Sequence, residues 1–279
     1  MVRILVDTSS DFEPEELRQR NLEYIPMPIQ FGEESLRDVE ELSKDGFYRR
    51  LETQYPTTAQ PSPAEFAAHF QAAKEAGDEL VAIVMSSALS GTYQGACLAK
   101  EDVGYDKVYV VDSLHVTTGA RVMTDYALSL RAQGRGGQEI AEAVRALRPR
   151  VKLYAAMNTL EYLYRGGRLS KTAASLGTLA NIKPQIHISD EGKVVITGKS
   201  IGQKRAIDML VERVEKAKLD PAFPLYSIYA NDPKGRDMMF EALRAKGYEI
   251  AEKNSNNLGP TIGAHIGPGA TGIVFVTAE

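Results

Sequence analysis

Four segments concentrate glycine, hydroxyl and basic residues beyond what regular structure requires: residues 56–63 (PTTAQPSP), 86–94 (SSALSGTYQ), 162–170 (YLYRGGRLS) and 258–272 (LGPTIGAHIGPGATG). The second follows an apolar run at residues 80–85 and precedes a helical stretch from about Thr92. Ser86, Ser87, Ser90 and Thr92 place four hydroxyls within seven residues, and Gly91 lets a ligand approach the backbone. In an open parallel sheet ligands bind beyond the carboxyl ends of strands. A helix N-terminus there offers N–H groups and a positive dipole end. The chemistry indicated is capture of a carboxylate or similar anion. The competing reading is an N-cap followed by a turn, which uses the same residue types.

The other three segments carry similar alternatives. Thr57 and Thr58 suit a turn, and Ser62-Pro63 suits the start of a helix. Gly166-Gly167 can end a helix. Arg168 beside them either pairs with an anion or lies on the surface. Residues 267–272 spell GxGxxG, but a strand at 273–277 follows where a dinucleotide site needs a helix, so the match is accidental. His265 sits in this Gly/Pro-rich stretch, which reads as a loop. A lone histidine is more often structural than chemical. His69, His115 and His187 show no paired spacing, so no metal site is expected. There is no P-loop and no GxSxG elbow.

Composition narrows the classes. A chain of 279 residues with 43% hydrophobic and 25% charged residues is long enough for two folded domains and too apolar for a disordered one. The net charge of −4 argues against a dedicated nucleic-acid binder. The single cysteine, Cys97, excludes an internal disulfide and CxxC chemistry, and fits a reducing compartment. The acid at Asp7 comes too early for a secretory signal, and the longest apolar runs fall far short of the ~18 residues of a membrane span. The chain reads as cytoplasmic, with no membrane insertion.

The elements that must position these segments follow from hydrophobic pattern. Apolar runs at residues 2–6, 80–85, 108–111 and 153–157 read as strands buried on both faces. Residues 24–31 read as one extended segment, edge or crossing, because Pro26 and Pro28 cannot donate to a ladder. Residues 14–20, with Asp11 or Glu13 as cap, and 62–76, 118–132 and 138–147 read as helices. Beyond about residue 155, a hairpin at 184–189 and 193–197, a helix at 203–218 and further short elements at 226–230, 237–246, 248–251 and 273–277 change the grammar. The expected fold is α/β. A three-layer parallel-sheet domain spans 1–153 and a smaller α+β domain spans 154–279, with an approximate boundary across which segments can interdigitate and a cleft between the two.

In their order, the TTxQPSP, SSxLSGTYQ, RGGR and GxHxGPG pieces, with Val6-Asp-Thr-Ser-Ser-Asp11 and Val111-Asp-Ser113, resemble the DegV family of bacterial fatty-acid-binding proteins. The resemblance runs from the first strand to the last. It implies a bound long-chain fatty acid, with its acyl tail in an apolar tunnel between the domains and no further cofactor. Carried onto this chain, the head-group residues are Thr58, Ser62, Ser87, Ser90, Gly91, Thr92, Arg168 and His265. The family also implies a partner, an ATP-dependent kinase that phosphorylates the presented carboxylate for phospholipid synthesis. The chain itself is then a carrier rather than an enzyme. Arg165 and Lys171, beside the RGGR piece, are the candidate contacts for that kinase. Three positions depart from the pattern. Ala59 stands where a Ser is usual, and Ala264 stands where a Thr is common. Residues 200–205 (SIGQKR) replace a Val-Arg-Thr-type run, which leaves a second basic contact open to Lys204 or Arg205. Two other readings use the same residues. One is a hydrolase or acyl transferase with Ser87 or Ser90 as nucleophile and His265 as base. The other is a regulatory or scaffold protein whose ligand is only structural.

Overall fold

The computed structural model describes residues 1–169 and 181–278. They fall into two compact units. Unit 1 comprises Met1–Leu42, Thr58–Pro149 and Asp190–Gly192; unit 2 comprises Ser43–Thr57, Arg150–Ser189 and Lys193–Glu279. The chain therefore changes unit several times. Residues 43–57 lie within the stretch that sequence assigned to the first domain, yet they belong to unit 2. Unit 2 is also as long as unit 1 rather than smaller.

Unit 1 is built on a four-stranded parallel sheet. Its strands are β1 (Val2–Asp7), β2 (Glu23–Ile25), β6 (Glu79–Val84) and β7 (Val108–Asp112), in the order β2-β1-β6-β7. Successive side chains of a strand face opposite ways. Leu5, Leu80, Ala82, Val84, Val108 and Val110 pack on one face against Phe66, Phe70 and Ala73 of α3 (Pro63–Ala76) and Ala96 and Ala99 of α4 (Thr92–Val103). The alternate residues Ile4, Val6, Val81, Ile83 and Val111 are just as buried. That opposite face is covered by α5 (Thr117–Ala132) and α6 (Gly137–Leu147), which contact β1, β6 and β7. Burial on both faces explains why these strands read as continuous apolar runs.

The segment expected as one extended stretch at 24–31 is two strands in two sheets. It breaks at Pro26-Met27, where proline offers no N–H and the Met27 N–H turns to Thr8 Oγ1 at 3.0 Å. Its second half, β3 (Pro28–Phe31), pairs antiparallel with β4 (Glu34–Arg37) and also borders β5 (Thr57–Thr58). Helix α1 (Pro14–Gln19) is capped by Glu13, whereas Asp11 adopts a left-handed conformation at the end of a preceding 3-10 turn.

Unit 2 contains a six-stranded mixed sheet, in the order β10-β9-β8-β13-β11-β12. The strands are β8 (Val151–Ala156), β9 (Ile182–Ile188), β10 (Val194–Ile201), β11 (Tyr226–Tyr229), β12 (Ser255–Asn257) and β13 (Thr271–Val276). Only β11 and β12 run parallel. The hairpin is present and longer than sequence indicated. Its register shifts between Ile196 and Gly198. Residues 248–251 are not a strand. Ile250 instead plugs the core, and the polar Ser255–Asn257 takes the edge beside β11. Ile207, Leu210, Val211 and Val214 of α8 (Gln203–Lys216) and Met239 and Leu243 of α9 (Lys234–Arg244), counted after α7 (Glu161–Arg165), cover Ala156, Ile273 and Phe275.

Candidate functional site

In unit 1 the loop after β6 is held by two carboxylates from the strands on either side. Asp7, at the end of β1, accepts the Met85 N–H at 2.7 Å and the Ser9 N–H at 3.0 Å. Burial pushes its pKa up against these hydrogen bonds. Asp112, at the end of β7, accepts the N–H groups of Ser87 at 3.1 Å and Leu114 at 3.0 Å. Ser86 is consumed structurally. It is fully buried, donates to the Gly192 carbonyl at 2.8 Å and accepts the Ala88 N–H at 3.2 Å. Ser87 and Ser90 are only partly buried. Ser90 Oγ lies 2.8 Å from Thr92 Oγ1 and accepts the Thr92 N–H at 3.3 Å, so it caps α4. The first turn of any α-helix leaves N–H groups outside its own ladder. The loop therefore offers a carboxylate partly open hydroxyls beside a helix N-terminus.

The first segment meets this loop at Gly91. A methyl group there would run into the Gln60 side-chain amide. Gln60 thus sits directly over the glycine. It was absent from the head-group residues expected from sequence, although its place between Thr58 and Ser62 in the TTxQPSP piece was the available signal. Thr58 is half-buried at the end of β5, next to Ala59, whose N–H donates to Pro28 O at 3.0 Å. Ser62 is exposed and serves the start of α3: its N–H and hydroxyl donate to Glu65 Oε2 at 2.9 and 3.1 Å.

In unit 2 the RGGR and GxHxGPG segments come together. His265 lies on a short helix, α10 (Pro260–Ile266), and not in the loop that its Gly/Pro-rich surroundings suggested. Pro260 starts that helix and Gly267, at φ +66°, ends it. The imidazole packs on Gly166, where a methyl group would collide with the ring. Arg168 Nη1 donates to the Gly166 carbonyl at 2.5 Å. Burial, with the Arg168 charge in addition, pulls the His265 pKa down to about 4. At neutral pH His265 is therefore a neutral hydrogen-bonding group, and Arg168 supplies the positive charge.

Tyr162 packs against Gly267 and beside Tyr55, with ring centroids 5.1 Å apart. Burial first, then Tyr55, pushes the Tyr162 phenol up to about 12. The exposed Arg165 lies 4.0 Å over the Tyr55 ring and 2.6 Å from Glu161. Lys171 lies outside the described residues. The remaining histidines have structural settings. His69 lies 2.6 Å from Glu23, His115 is buried against Gly119, and His187 meets the Leu153 carbonyl at 2.9 Å while stacking on Tyr154. Among the described residues no cluster suited to a metal ion occurs, and no helix is long and apolar enough to cross a membrane.

Of the expected head-group residues, Thr58, Ser62, Ser87, Ser90, Gly91 and Thr92 are thus in unit 1, and Arg168 and His265 are in unit 2. Residues 1–278 match the family model described as "Uncharacterised protein, DegV family". A DegV domain-containing protein of Caldanaerobacter subterraneus is 31% identical over 275 residues, covering 98% of both chains. A solved DegV family structure from Thermus thermophilus, described by its fatty acid binding, aligns with TM-score 0.88 and 28% identity over 99% of both chains. The structure of DegV from Bacillus subtilis, described as a fatty acid binding protein, aligns with TM-score 0.85 and 26% identity over 99% of both chains.

Proposed function

This chain belongs to the DegV family, and from that premise we propose that it binds a long-chain fatty acid and presents the carboxylate to a separate ATP-dependent kinase. The observation that carries the first half is the whole-length similarity to solved structures described as fatty acid binding proteins. The geometry within each unit supports it. The carboxylate is assigned to Thr58, Ser87, Ser90 and the start of α4, with Gln60 shaping the approach over Gly91. Arg168 and neutral His265 supply the complementary charge and hydrogen bond. Ser62 shapes the site through the cap of α3. The energetics divide the labour. Burying roughly fifteen methylenes at about 0.8 kcal/mol each gives a gross ceiling of about 12 kcal/mol. A charge-assisted hydrogen bond nets about 1.5–3 kcal/mol. The tail thus sets affinity, and the polar groups set orientation.

Purified protein extracted with organic solvent and examined by mass spectrometry tests the binding reading. The expected result is about one fatty acid per chain. Absence of lipid, together with no uptake of offered oleate or palmitate, overturns it. The kinase step rests on the family resemblance and on the exposed Arg165, the first residue of the RGGR piece, steadied over Tyr55.

A further inference from the structure

Unit 2 has a second polar focus that the fatty-acid reading does not use. Helices α8 and α9 begin side by side at one end of the six-stranded sheet. A methyl group on Gly235, in the first turn of α9, would fall 2.9 Å from Gln203 Nε2 at the start of α8 and would run into the Thr271 hydroxyl. Thr271 is 1% exposed, and its hydroxyl points at Gly235 with no hydrogen-bond partner among the described residues. A buried hydroxyl left unsatisfied is costly and is met by a buried water, an ion or a ligand group. The N–H groups of Gly235 and Arg236 likewise have no acceptor among the described residues; that of Lys234 is taken by Asp232 at 3.0 Å.

The charges point the same way. The first turn of α8 holds Lys204 and Arg205 and no acid, and that of α9 holds Lys234, Arg236 and Asp237. Cations at helix N-termini oppose the helix dipole, and a bound anion reverses that penalty. Lys204 and Arg205 lean toward Asp208 at 3.6 Å and Glu212 at 2.8 Å, and Arg236 meets Asp237 at 2.7 Å. Lys234 is exposed.

We propose that the joined N-termini of α8 and α9, with Thr271, Gln203 and Lys234, form a binding site for a phosphoryl group. The N–H groups of Gly235 and Arg236, the buried Thr271 hydroxyl and the exposed Lys234 suit a phosphoryl dianion. Gln203 is the movable cover that admits the ligand to Thr271.

The test is titration of the full-length, isotope-labelled protein with inorganic phosphate and, separately, with glycerol phosphate, followed by amide NMR. The expected result is saturable shifts centred on Gly235, Arg236 and Gln203. Tighter binding of the ester identifies a phosphate monoester as ligand, and tighter binding of the free ion identifies phosphate itself. Thr271→Val is expected to fold with unchanged or higher unliganded stability and to weaken binding about tenfold. Gln203→Ala provides the same readout should the valine variant fail to fold. Equal shifts with sodium chloride at matched ionic strength, or unchanged affinity in the folded variants, overturn the proposal.

Discussion

At the scale of single residues, the basicity of His265 is suppressed by its surroundings. Its pKa is drawn down to about 4, chiefly by burial and then by Arg168. An unfolded histidine titrates near 6.5. Between those values the unfolded chain binds a proton that the native chain does not. Stability linked to this group is therefore complete above about pH 6.5 and is lost as pH falls toward 4. Its ceiling is about 3 kcal/mol. His265→Gln is expected to flatten the stability–pH profile over that window, as read by denaturant unfolding at each pH. A profile with the same slope in the variant would show that His265 is not the group responsible. The residues that set the geometry around the hydroxyls, Asp7 and Asp112, were visible as the ends of apolar runs and as pieces of the family pattern, but their role was not, because it depends on strands adjacent in space and distant in sequence.

At the scale of elements, two glycines let one segment close over another. Gly166 has φ −72° and Gly91 has φ −73°, so neither needs glycine for its backbone angles. What each lacks is a methyl group. At Gly91 the obstacle is the end of the flexible Gln60 side chain, whereas at Gly166 it is the His265 ring. Gly166→Ala is therefore expected to cost about 1–3 kcal/mol through overpacking and to weaken fatty-acid affinity about tenfold by displacing His265. Gly91→Ala is expected to cost less stability, because Gln60 can swing away. Thermal unfolding and a fluorescent fatty-acid binding assay measure both. Equal losses in the two variants would contradict the packing argument. The helix bearing His265 was hidden from pattern reading. Pro260–Ile266 is too short and too glycine-rich to show a helical period, and six of its seven residues are buried.

At the scale of the whole molecule, the proposed carrier role makes a prediction about division of labour. The chain with ATP and fatty acid alone should form no acyl-phosphate, and addition of the kinase should produce it. Charge reversal at Arg165 should lower that coupled rate severalfold while fatty-acid uptake stays unchanged. Acyl-phosphate formed by the chain alone, or labelling of Ser87 or Ser90 by a fluorophosphonate, would favour the enzymatic reading instead. Bound fatty acid should also raise the unfolding temperature in a concentration-dependent way, because it binds the native state only.

Local chemistry was enough to identify the parallel sheet, the helices of unit 1, the hairpin and the four polar segments. Runs such as Leu80–Ala82–Val84 must be buried wherever they lie, and glycine with hydroxyls at fixed spacing reads as a loop that can hold an anion. Tertiary structure alone decided which segments meet: Gln60 over Gly91, His265 on Gly166, and Gln203 beside Gly235 under Thr271. It also decided that residues 43–57 belong with the second unit. Those outcomes depend on packing between residues far apart in the chain, and no local pattern encodes such partners. For the same reason, the hydroxyls of Ser86 and Ser62, alike in sequence to those of Ser87 and Ser90, are held by Gly192 and Glu65.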